Sequence, residues 1–183
     1  ADHRDRVGTV HEAGMDDVAV ALGIAAAAAR GWAETAVEVR ASCLERAADL
    51  LEEEMAALIG LAIREAGKSI PNAVAEVREA VDFCRYYAAQ IRAEFKNDSH
   101  RALGPVVCIA PWNFPLAIFV GEVGAALAVG NPVLAKPAEQ TPLIAAHAVR
   151  LFHRAGVPRD VLQLLPGQGG KVGLIWLDRN QQA

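Results

Sequence analysis

GPVVCIAPWNFPLAIFVGEVGAALAVGNPVLAKPAEQTP, residues 104–142, decides the fold. It opens with a short apolar run rich in β-branched residues, 106–110, introduced by Gly-Pro, which reads as a buried strand. Pro111-Trp112-Asn113-Phe114-Pro115 must break that strand, because a proline has no N–H to give to a ladder. Pro115 suits the first position of a helix, where a missing N–H costs nothing, and the spacing predicts a helix over 116–129. Gly130-Asn131-Pro132 ends it. A second short apolar strand, 133–135, is closed by Lys136-Pro137, and Thr141-Pro142 caps and starts the next helix. Strand, helix, strand and helix within about forty residues make a βαβ unit whose two strands are parallel.

Downstream, the helix over 141–155 is amphipathic through Ile144, Ala148, Leu151 and Phe152, and Gly156 with Pro158 terminates it. Residues 161–165 read as a third strand, after which Pro166-Gly167-Gln168-Gly169-Gly170 turns toward another helix. Upstream the pattern is helical. Residues 7–12 alternate loosely, as a short strand or hairpin arm would. Residues 15–30 are alanine-rich, with Asp16 and Asp17 placed to favour the helix dipole. Gly31-Trp32 follows, the indole serving to pack.

Residues 37–66 are helical, in one piece or two. Val37, Ala41, Leu44, Ala48, Leu51, Met55, Leu58 and Ala62 make one apolar seam at alternating spacings of four and three, with Glu38, Glu45, Arg46, Asp49, Glu52 and Glu53 on a solvated face. Gly67 stops this helix. A second seam runs through Val74, Val77, Val81, Cys84, Ala88, Ile91 and Phe95. Two such helices could form a coiled-coil interaction module. Packing of both on the sheet and on each other is the preferred reading. The fold class is therefore α/β: N-terminal helices over about 15–96, then an incomplete Rossmann-like parallel βαβαβ sheet over about 104–173.

Composition narrows the function. With 183 residues, 53% of them hydrophobic and 22% charged, the chain is sized for one globular domain or a large piece of one. A net charge of −4 gives no basic field for nucleic acid. Cys43, Cys84 and Cys108 have neither metal-ligand nor CxxC spacing, which fits a reducing cytoplasm. The first residues, ADHRDRVG, contain no apolar signal segment. The long apolar run 116–134 is interrupted by Glu122 and Gly-Asn-Pro, so no membrane span is expected. The five histidines show no ligand spacing, and no metal site is expected.

APWNFP followed by GNPVLAKPAEQTP resembles the aldehyde dehydrogenase superfamily. REAGKSIPNAVAEVREAVDFCRYYAAQ before the strand and LQLLPGQG after it are similar to the glutamate-semialdehyde (1-pyrroline-5-carboxylate) dehydrogenase module of bifunctional bacterial proline utilisation proteins. The resemblance covers residues 6–173, and the tail 174–183 departs from it. It implies an NAD-binding fold, an aldehyde substrate, and oxidation of glutamate semialdehyde to glutamate in proline catabolism.

The resemblance also assigns residues. The Asn113 amide would donate to the oxyanion of the thiohemiacetal; by position alone it could also N-cap the helix that begins near Pro115. Ala110, Pro111 and Trp112 would lie against NAD, with Trp112 and Phe114 as pocket walls or core residues. Lys136 and Glu139 would bind the adenosine ribose hydroxyls, and a carboxylate there favours NAD over NADP. Gly169 and Gly173 would belong to the turn against adenine and pyrophosphate, although the glycines do not spell G-x-G-x-x-G. Glu65 and Glu76 would approach the substrate pocket only in a complete enzyme.

Cys108, inside a strand, reads as a small hydrophobe, as do Cys43 and Cys84. The nucleophilic cysteine and general-base glutamate of the family find no counterpart among these 183 residues. The chain is thus expected to be an N-terminal fragment, inactive alone and prone to self-association. The alternative is a non-catalytic helical interaction module.

Overall fold

Three parallel strands, β1 (Val106–Ile109), β2 (Val133–Lys136) and β3 (Leu162–Leu164), lie side by side in chain order. The computed structural model describes residues 6–96 and 98–169. Val106 pairs with Val133 and Ile109 with Lys136; Val133 in turn pairs with Leu162 and Ala135 with Leu164. Helix α5 (Ala117–Ala128) crosses from β1 to β2, and α6 (Pro142–Arg154) from β2 to β3. Gly170, Gly173 and the tail 174–183 lie outside the described residues, so the end of the βαβαβ unit is not seen beyond Gly169.

Alternation along the strands separates two faces. Leu134, with Val107 and Leu165, meets Val18, Ala21 and Ala25 of α1 (Met15–Glu34). Val133, Ala135, Cys108 and Leu162 join the larger core under α5 and α6. Helices α2 (Val37–Glu53), α3 (Met55–Ala66) and α4 (Ile70–Glu94) complete that side: α2 and α4 pack on one another and on α5, and α3 packs on α4 and α6. The expectation that α2 and α4 pack on the sheet itself is thus corrected, because the crossover helices α5 and α6 occupy that face and the hairpin forms a further layer.

The two apolar seams are real. Ala41, Leu44, Ala48, Leu51, Leu58 and Ala62 are buried, as are Val77, Val81, Cys84, Ala88 and Ile91. The first seam continues through a break at Glu54, which is both the C-cap of α2 and the N-cap of α3. The face expected to be merely solvated is also used. Arg92 of α4 clamps Glu38 and Glu45 of α2, and Arg85 clamps Asp49 and Glu52. Gly67, with φ of 65°, stops α3 in the left-handed conformation that favours glycine.

Other expectations needed correction. Residues 7–12 form no strand; Gly8 instead runs so close over Leu143 that a Cβ there would come within 2.7 Å of its Cδ1. Helix α1 does not stop before Gly31 but continues to Glu34, because Gly31 takes no positive φ and the turn is closed at Thr35. Pro115 lies outside α5, whose N-cap is Leu116. Thr141 sits at the N-cap of α6 but gives no side-chain cap, and its hydroxyl is buried without a partner. The capping acceptor is Glu65, at the end of α3, whose two oxygens accept from Leu143 N at 2.8 Å and Ile144 N at 2.7 Å.

Carbonyls at helix C-termini are met in the same long-range manner. Trp32 Nε1 donates to Leu127 O at 3.1 Å, and Arg40 Nε to Ala128 O at 2.9 Å, at the end of α5. Arg46 Nε donates to Ala155 O at 2.7 Å, past the end of α6. Arg40 also donates from Nη1 to Ala33 O at 3.2 Å and to Thr35 O. Asn131, buried after α5, accepts from Leu103 N and Gly104 N through Oδ1, which fixes the entry to β1.

Candidate functional site at the carboxyl edge of the sheet

In an open parallel sheet, ligands bind beyond the carboxyl ends of the strands, where the chain turns from strand to helix. Residues 110–116, 137–141 and 165–169 make that edge here. Ala110 N donates to Lys136 O at 3.1 Å and Leu165 N to Ala135 O at 2.8 Å, so the three turns start from one level. Ala110 is buried; Pro111 is partly covered; Trp112 and Phe114 stand 54% and 41% exposed. An indole and a phenyl ring thus stand open at the end of a strand, outside the cores of the described residues.

Asn113 is exposed between them, three residues before the N-cap of α5. That spacing excludes the capping role the sequence left open. A proline on each side of the Trp112-Asn113-Phe114 turn restricts it. The amide is therefore held on a stiff turn and presented outward. Lys68, just past the end of α3, lies with Nζ 4.2 Å above the Phe114 ring.

Lys136 is not a surface lysine. It is 6% exposed, and its ammonium donates to Pro137 O at 2.8 Å and Gly167 O at 3.3 Å, tying the end of β2 to the turn after β3. Burial lowers its pKa from the usual lysine value, opposed by the charge of Glu139. An ammonium has three donors, so among the described residues one is left over. Glu139 is exposed beside it, and Gly169 has open space where a Cβ would project. Gly173 cannot be placed, since it lies outside the described residues.

The cysteines are placed as the sequence suggested. Cys43, Cys84 and Cys108 are all buried and free. Burial pushes the Cys84 thiol up to about 12, and burial together with the Glu122 charge does the same at Cys108. Burial also raises Cys43, against the pull of Arg46. A thiol so shifted does not supply a thiolate at neutral pH. No group of His, Cys, Asp and Glu among the described residues is arranged to hold a metal ion.

The aldehyde dehydrogenase family model matches residues 1–181. The bifunctional protein PutA of Klebsiella aerogenes is 59% identical over 173 residues, 94% of this chain and 13% of the relative. A 1-pyrroline-5-carboxylate dehydrogenase of Anoxybacillus flavithermus is 38% identical over 185 residues, 94% of this chain and 36% of the relative. The chain thus spans only a minor part of either protein. A crystal structure of a bifunctional proline utilization A protein superposes with a TM-score of 0.89 at 45% identity, over 93% of this chain and 19% of that one. A Thermus 1-pyrroline-5-carboxylate dehydrogenase with bound NAD gives a TM-score of 0.87 at 38% identity, over 92% and 35%.

Proposed function

From a chain that belongs to the aldehyde dehydrogenase family, we propose that it carries the oxyanion amide and part of the adenosine site of an enzyme that oxidises glutamate semialdehyde, the open form of 1-pyrroline-5-carboxylate, to glutamate. One observation carries the reading: Asn113 is presented on a stiff, exposed turn and does not cap α5. An amide held in that way costs no reorganisation when negative charge develops on a carbonyl oxygen. The similar enzymes described above supply the substrate class.

The carboxyl edge fits a dinucleotide. NAD, when bound, supplies the hydride acceptor. Lys136 would hold a ribose hydroxyl with its remaining donor, Glu139 would accept from the 2′-hydroxyl, and Gly169 would leave room for close approach of the ligand. Ala110, Pro111 and Trp112 form the wall at the other end of the edge. None of the three buried cysteines serves as nucleophile, so the attacking thiolate and the general base come from another segment, and the 183 residues alone have no dehydrogenase activity.

Calorimetric titration with NAD and with NADP tests the cofactor assignment. NAD is expected to bind at least about tenfold more tightly, a difference of about 1.4 kcal/mol, because the Glu139 carboxylate repels a 2′-phosphate. Glu139→Gln should shrink the difference. Tighter binding of NADP to the unmodified protein rules the assignment out.

We further propose that the isolated chain self-associates. β1 and β3 are the two edges of the described sheet, and Ile109 on β1 is exposed; such edges invite pairing with another chain. Light scattering over a concentration series should show growing mass, and a monodisperse monomer throughout would overturn it. The interaction-module alternative finds no support, since both helical seams are consumed in the core.

A further inference from the structure

Glu76 is a carboxylate in the second turn of α4, 2% exposed, with neither oxygen closing a well-formed hydrogen bond. Its surroundings are specific. Lys68 Nζ lies 3.7 Å from Oε1, the backbone N–H groups of Ala117 and Leu116 face the carboxylate, and Glu79 on α4 is the other charged group acting on it. Leu116 and Ala117 are the N-cap and first residue of α5, a helix that opens without a side-chain cap. A negative charge at that end complements the helix dipole. The same Lys68 stacks on Phe114, immediately after Asn113.

The ion pair itself contributes little to stability. At 3.7 Å the ion pair is long, and the Leu116 and Ala117 N–H groups face the carboxylate without closing a well-formed hydrogen bond, so the pair recovers little of the cost of desolvating its charges. What the pair does is bracket residues 112–117: Glu76 holds the start of α5 and Lys68 holds the Phe114 ring. We infer that Glu76, with Lys68 as its counter-charge, is a positioning residue that fixes the turn carrying Asn113 and so aims its amide. The inference rests on the oxyanion role proposed above.

The test is made in the full-length protein with Glu76→Gln, Asn113→Ala and the double variant, measuring kcat, the KM values for aldehyde and NAD, and melting temperature. Glu76→Gln is expected to lower kcat about 10-fold to 10²-fold, the range for a misplaced catalytic group, with the KM for NAD unchanged. The double variant should be no slower than Asn113→Ala, because both losses pass through one amide. Losses that multiply, or a lower melting temperature with kcat intact, overturn the inference. Should Asn113→Ala itself keep normal turnover, the oxyanion reading falls and the inference with it. That failure is recognisable because Asn113→Ala alone reveals it.

If Glu76→Gln does not fold, Lys68→Met serves instead. Burial already raises the Glu76 pKa from the usual value, and Lys68 opposes the rise. Without Lys68 the carboxyl stays protonated to higher pH than in the unmodified protein, so the acid limb of the kcat profile should move to higher pH. A pH profile parallel to the unmodified protein's overturns the inference.

Discussion

Replacing Asn113 with Asp in the full-length protein is expected to lower turnover by more than the roughly 10²–10³-fold that loss of a single oxyanion donor costs, with the melting temperature little changed. Asn113→Ala should fall within that range. Ala removes a donor, whereas Asp puts a negative charge where negative charge must develop. The order of the two variants discriminates between roles. Asn and Asp are nearly equivalent at a helix N-cap, so a capping Asn113 would tolerate Asp and suffer from Ala. Because the N-cap of α5 is Leu116, three residues on, the capping outcome is not expected. NADH formation from the aldehyde, measured beside thermal unfolding, decides between them.

The largest effect on stability is expected at Arg40. Its guanidinium is 1% exposed and donates to three backbone carbonyls: Ala128 at the end of α5, Ala33 in the last turn of α1, and Thr35 just after it. It also lies over the Phe95 ring, 5.2 Å from the centroid. Arg40→Ala leaves these acceptors, one buried and two part-buried, without their donor, and each unsatisfied buried group costs about 1–3 kcal/mol. A loss of about 4 kcal/mol or more in urea unfolding is expected, comparable with the whole stability of a marginal domain. Arg40→Lys should recover only part of it, since a single ammonium cannot reach in three directions as a planar guanidinium does. A loss under about 1 kcal/mol for Arg40→Ala would mean that water replaces the side chain at those carbonyls.

What the sequence disclosed followed from periodicity and from punctuation. The seams of α2 to α4 are visible because burial repeats every three or four residues, and the strands because short β-branched runs end in Gly or Pro. Cys108 was legible as a buried thiol because it sits between Val107 and Ile109. What stayed hidden was every polar contact made across long stretches of chain. Nothing local marks Glu65 as the cap of a helix that begins at Pro142, since an i,i+3 capping pattern is what a reader searches for. Lys136 looks solvated in a sequence and is buried, because its acceptors are carbonyls, which carry no side-chain signature. Glu76 adjoins the Val77 position of a seam, and only the docking of α5 against α4 shows what its charge faces. Asn113 and Glu139 were singled out through resemblance, and the structure adds their exposure.

The polar ties that finish the helix ends have a consequence for synthesis. Glu65 waits for Leu143, 78 residues later; Arg40 for Ala128, 88 later; Trp32 for Leu127, 95 later; and Arg46 for Ala155, 109 later. Translation proceeds at about 5–20 residues per second, so these intervals last from about 4 s to about 20 s. During that time α2, α3 and α4 can meet one another, but the apolar faces that α5 and α6 cover stay open. The helices cannot lock one by one as they emerge. They are committed together, once α5 and α6 arrive, and until then the nascent chain presents the kind of surface that chaperones bind.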